Sequence, residues 1–61
     1  MELKERFALV NAIGFSIGHY HMAVERGEWP LARMHLNKVV AGIGMLAMEI
    51  DEHDPVEREE E

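Results

Sequence analysis

A stripe stepping by four and three, Leu3, Phe7, Val10, Gly14, Ile17, His21 and Val24, runs through the first part of the chain. That is the repeat of an α-helix with a heptad-like seam. Leu9, Ile13, Phe15 and Met22 lie off the stripe, so more than one side of this helix is apolar. The same stepping returns as Ala32, Leu36, Val39, Ile43, Leu46 and Ile50, with Met34, Ala41, Met45 and Met48 forming a second apolar row. The pattern predicts one helix over about 2–26 and another over about 30–52.

The segment "ERGEWP" separates them. Gly27 suits a left-handed helix C-cap, and Pro30 suits the first turn of a helix, where no amide hydrogen is needed. Trp29 is expected to fold back over the bend as an apolar plug. A turn at 27–29 is short enough to make the helices antiparallel neighbours. Residues 1–53 thus read as an all-α antiparallel hairpin. Pro55 marks where ordered helix stops, and residues 54–61 read as an acidic, disordered tail.

Size turns this hairpin into an expected oligomer. Sixty-one residues, 48% of them hydrophobic and none of them cysteine, exceed what two helices hide and exclude disulfide support. The simplest closed arrangement is a dimer forming a four-helix bundle. Its expected interface is Phe7, Val10, Gly14, Ile17, Gly18, Val39, Ile43, Met45, Leu46 and Met48. Gly14 and Gly18 each cost about 1 kcal/mol against alanine inside a helix, which predicts a close helix crossing there. Gly42, Gly44 and Ala47 permit another. The methionines suit irregular interface packing or adaptable partner surfaces.

Charge is divided along the chain. Residues 1–50 carry five acids and five bases, whereas 51–61 carry seven acids and one arginine, giving the net −6. No basic cluster tracks a phosphate backbone, so nucleic acid is not an expected partner. Residues 7–24 contain no Asp, Glu, Lys or Arg and include a GxxxG spacing, "GFSIG". The length approaches a membrane span, but Asn11, His19, Tyr20 and His21 weigh against one. The start, "MELKERF", lacks the pattern of a signal peptide. A cytoplasmic protein is expected.

Two local resemblances add to this. "RGEWPLARMHLNKVV" resembles the turn between the paired helices of tetratricopeptide repeats, with Gly27, Trp29, Ala32 and Leu36 at matching positions. Such repeats stack in series, and a single hairpin is present here. "PLARMHL" is similar to the second helix of small phage hairpins that sequester cyclic-nucleotide signals, matching at Leu31, Ala32 and Leu36. That likeness implies contacts to phosphate and base from Tyr20, Arg33 and His35. Trp29 joins these three as a candidate ligand or partner contact.

Little in the chain suggests catalysis. A bend centred near Glu28 sets His21 level with His35, and Glu25 one helical turn from His21, so these three are the candidate metal ligands. They match no helical metal motif, and partly buried imidazoles hydrogen-bonded to each other or to Glu25 are the favoured explanation. His19 is expected to face solvent. Ser16 has no residue to orient a base beside it, and pairs such as Glu49 with Glu52 should keep ordinary carboxylate pKa values. No enzyme activity, cofactor or firm metal site is therefore expected. The four histidines make pH-sensitive assembly a further expectation.

The leading expectation is a non-enzymatic oligomeric interaction or regulatory module, of the build seen in small accessory and phage-encoded antagonist proteins, with a protein partner. Sequestration of a signalling nucleotide by an oligomeric hairpin is the alternative. A small membrane-associated helical protein comes third.

Overall fold

A computed structural model describes residues 1–54 of the chain. It is all-helical: α1 spans Leu3–Glu25 and α2 spans Trp29–His53, packed against each other as an antiparallel hairpin. The tail expected over 54–61 lies, beyond Asp54, outside the described residues.

Local chemistry sets the ends. At the start of α1 the Glu2 amide donates to the Glu5 carboxylate at 3.1 Å, satisfying one of the amides that no helical carbonyl reaches. At its end Gly27 takes φ +73°. The Gly27 amide donates to the Val24 carbonyl at 3.0 Å and the Glu28 amide to the Ala23 carbonyl at 2.9 Å. This nested pair is the Schellman closure, which needs a left-handed residue where Gly27 stands. Pro30 sits in the first turn of α2, as expected. Trp29 differs from expectation: it opens α2 with 62% of its surface exposed and plugs nothing.

The seam between the helices is the main departure from the sequence reading. Buried and half-buried residues of α1 are Arg6, Leu9, Ile13, Ser16, Tyr20 and Ala23, with Val24 alongside. Each of the six stands one position before a member of the apolar stripe. Those of α2 are Ala32, His35, Val39, Gly42, Leu46 and Glu49. Small residues occupy much of this seam, so the helices approach closely. A Cβ built on Gly42 would stand 2.7 Å from Ile13 Cγ1 and 2.9 Å from Ile13 Cδ1. The close crossing expected at Gly14 and Gly18 is therefore at Gly42 within the hairpin. Gly14, Gly18 and Gly44 have nothing within 4 Å of the corresponding point.

The resulting body is 12 Å across its thinnest dimension, about one helix diameter. Its buried apolar residues are Ala23, Ala32 and Val39 alone among the described residues. No described helix is long and apolar enough to cross a membrane.

Candidate interaction surface

Helical periodicity sorts the remaining side chains onto two broad faces. Turning 3.6 residues per turn away from the seam, Leu3, Phe7, Val10, Gly14 and Ile17 of α1 fall on one side. Because the helices are antiparallel, the same side of α2 carries Leu36, Val40, Ile43, Ala47 and Ile50. All of these are exposed, Phe7 and Val40 to 62%. Between Leu3 and Ile17 on α1, and between Leu36 and Ile50 on α2, this face has no charged residue. The opposite face carries Phe15, Met22, Met34, Met45 and Met48, also exposed. There Lys4, Asn11, Arg26, Lys38 and Glu52 interrupt the apolar surface.

The expected interface residues divide accordingly. Phe7, Val10, Gly14, Ile17 and Ile43 share the charge-free face, while Met45 and Met48 lie on the other. Gly18 is at the outer edge of α1. Val39 is buried and Leu46 half-buried in the hairpin's own seam.

At the open end of the hairpin the seam holds an ion pair. Arg6 Nε donates to Glu49 Oε1 at 3.0 Å and Arg6 Nη2 to Glu49 Oε2 at 2.8 Å. Glu49 is buried while the Arg6 side chain keeps 40% exposure. The donated hydrogen bonds and positive charge of Arg6 hold the Glu49 carboxyl below its ordinary pKa, against the opposing effect of burial, and Glu49 raises that of Arg6. This corrects the expectation of a solvated Glu49. Sequence patterning missed both residues, although each stands one step off an apolar stripe and the two are level in an antiparallel hairpin. A hollow beside the pair is lined by Met1, Met45, Met48, Glu49 and Glu52.

Near the bend the histidines pair differently from expectation. His35 stacks on His19, with ring centroids 5.2 Å apart and planes 24° from parallel. His21 Nε2 instead lies 3.2 Å from Glu25 Oε2 along its own helix, both side chains largely exposed. α1 ends at Glu25 and α2 begins at Trp29, so the bend is centred on Gly27 rather than Glu28, which sets His19 instead of His21 level with His35. His19 thus has a partner across the seam. Among the described residues no three His, Cys, Asp or Glu side chains gather as a metal site. His35 Nδ1 is buried with no hydrogen-bond partner. Burial, Lys38 and His19 together lower the His35 pKa, favouring the neutral ring.

The candidate ligand contacts do not converge. Tyr20 and His35 are half-buried in the seam, Trp29 and Arg33 are exposed at the bend, and the hollow lies at the far end. Compared with known proteins, the chain matches no family model, no curated relative and no solved structure.

Proposed function

We propose that this chain is a self-associating helical module that acts through protein–protein contact and carries out no chemistry of its own. The observation that carries the reading is the inversion of the hairpin's apolar content. Three apolar residues are buried, while sixteen large ones keep about two fifths or more of their surface exposed. Isolated hydrophobic surface residues are ordinary, but contiguous apolar faces mark association. Copies of the hairpin sharing such faces form a common core, and the acidic segment after Asp54 supplies the charge that a partner protein reads.

Light-scattering mass measured between about 1 and 100 µM, the range in which a modest interface dissociates, tests the reading. A mass at least double the chain mass is expected, with a melting temperature that rises with concentration. A compact monomer with a concentration-independent melt overturns it.

A further inference from the structure

The two broad faces are not equivalent, and their difference identifies what covers one of them. We infer that a second copy of this chain covers the face of Phe7, Val10, Ile17, Leu36, Val40 and Ile43, giving a two-fold four-helix bundle with the methionine face outward. The inference rests on the self-association proposed above and names the surface that performs it.

Three observations converge on this face. The first is charge. A two-fold interface sets each patch against a copy of itself, so any charge near its centre meets a like charge. Between Leu3 and Ile17 on α1 and between Leu36 and Ile50 on α2 the inferred face has none, whereas over the same spans the opposite one carries Lys4 and Lys38. Glu25, about five turns beyond Phe7, is the charge on the inferred side nearest the bend.

The second is area. Eight large apolar side chains on this face, from Leu3 to Ile17 and from Leu36 to Ile50, keep 42–62% of their surface exposed, against five, Phe15 and the four methionines, on the opposite face. A standard stable interface buries about 800 Å² on each partner. The inferred face is the richer in large apolar side chains, and a two-fold pairing covers it without recruiting the other.

The third is Gly14. It lies mid-helix between Val10 and Ile17 on this face, and nothing within the hairpin approaches the point where its Cβ would be. A glycine in a helix interior costs about 1 kcal/mol relative to alanine. Nothing in the isolated hairpin approaches Gly14, whereas a second copy lying against it does, as the Ile13 side chain of α1 already does at Gly42.

Four glutamate substitutions in the full chain test the inference: Val10→Glu and Ile43→Glu on the inferred face, Met34→Glu and Met45→Glu on the opposite one. All four replace exposed side chains, so a hairpin by itself tolerates each. Sedimentation velocity gives the mass and circular dichroism the helicity. Val10→Glu and Ile43→Glu are expected to raise the dimer dissociation constant on the order of 100-fold or more, because each buries two unpaired carboxylates per dimer. Loss of helicity together with loss of dimer supports the inference equally, since a hairpin with so small a core depends on its partner. Met34→Glu and Met45→Glu are expected to keep both mass and helicity.

A wild-type chain that is monomeric overturns this inference and the proposed function together. A wild-type oligomer that survives Val10→Glu and Ile43→Glu leaves self-association standing and overturns the choice of face. Loss of assembly in all four variants also overturns it, because both faces would then be buried in a larger assembly.

Discussion

Arg6 reaches across the hairpin and holds Glu49, 43 positions later, by both arms of its guanidinium. The pair fixes how far the helices slide past one another. Shifting α2 by one turn separates the partners and leaves a carboxylate in the seam with no cation. The other buried positions of the seam, Ala23, Ala32, Val39 and Gly42, are small and interdigitate little, so the ion pair adds to a register that only Leu9, Ile13, Tyr20, His35 and Leu46 otherwise mark. A buried ionic pair used for register is a well-attested role for such groups.

The pair is asymmetric, and so are the expected effects of breaking it. Glu49 is buried and Arg6 is 40% exposed. Arg6→Ala leaves the desolvated carboxylate without its hydrogen-bond donor and with the Met1 amino group, 3.7 Å from Oε2, as its remaining close cation, whereas Glu49→Ala leaves a guanidinium that water can solvate. Arg6→Ala should lower the melting temperature at pH 7 by several degrees, and Glu49→Ala by distinctly less. Equal losses in the two thermal melts would contradict the burial assigned to Glu49.

Stability should fall on acidification in two stages. The His35 pKa is lowered in the fold, so as pH drops below about 6.5, its ordinary value, the unfolded chain takes up a proton before the folded one does. Stability is complete above that pH and is lost as pH falls towards the folded pKa. The groups facing His35 are His19, stacked on it, and Lys38, one turn along α2. Glu49 repeats the pattern lower down: its stability is present above about 4.5 and is lost as pH falls through its lowered pKa. Melting temperatures from pH 8 to pH 3 should show both stages, with His35→Phe removing the first alone. A flat profile between pH 7 and 5 in the unsubstituted protein would show that His35 does not titrate as its burial requires.

Three glycines should respond differently to alanine. Gly44 faces open space at the outer edge of α2, so Gly44→Ala should stabilise by about 1 kcal/mol through helix propensity. At Gly42 the new methyl meets Ile13, and the cost of displacing a packed isoleucine, about 1–3 kcal/mol, outweighs the same gain. At Gly27 the left-handed backbone makes alanine unfavourable by about 1 kcal/mol. Urea titration gives all three values, and a stabilising Gly42→Ala would disprove the close helix approach.

Helix number, the bend and its glycine are legible in the sequence because they rest on local chemistry: a 3.6-residue period, a left-handed cap, a proline where no amide is required. The seam is not. The heptad-like stripe selects Leu3, Phe7, Val10 and Ile17, whereas the hairpin joins through Arg6, Leu9, Ile13, Ser16, Tyr20 and Ala23, a row in which two large apolar residues stand among small and polar ones. Apolar periodicity identifies a face that must leave water, but not which body removes it. Here the neighbouring helix takes this mixed row, and most of the large apolar side chains point away. The histidine pairing was misread for a smaller reason. Moving the centre of the bend by one residue, from Glu28 to Gly27, changes which imidazole meets His35, and no compositional signal fixes that centre.

The thinness of the hairpin also bears on its persistence in a cell. A slab one helix deep that pairs with a second copy, as inferred above, would have a folded population that falls when copies are scarce. Proteases that sample the open form would clear newly made chains at low dosage and spare them once synthesis outruns encounter. Abundance would then behave as a threshold, rising sharply with expression, so that a modest change in transcription decides whether the protein accumulates at all.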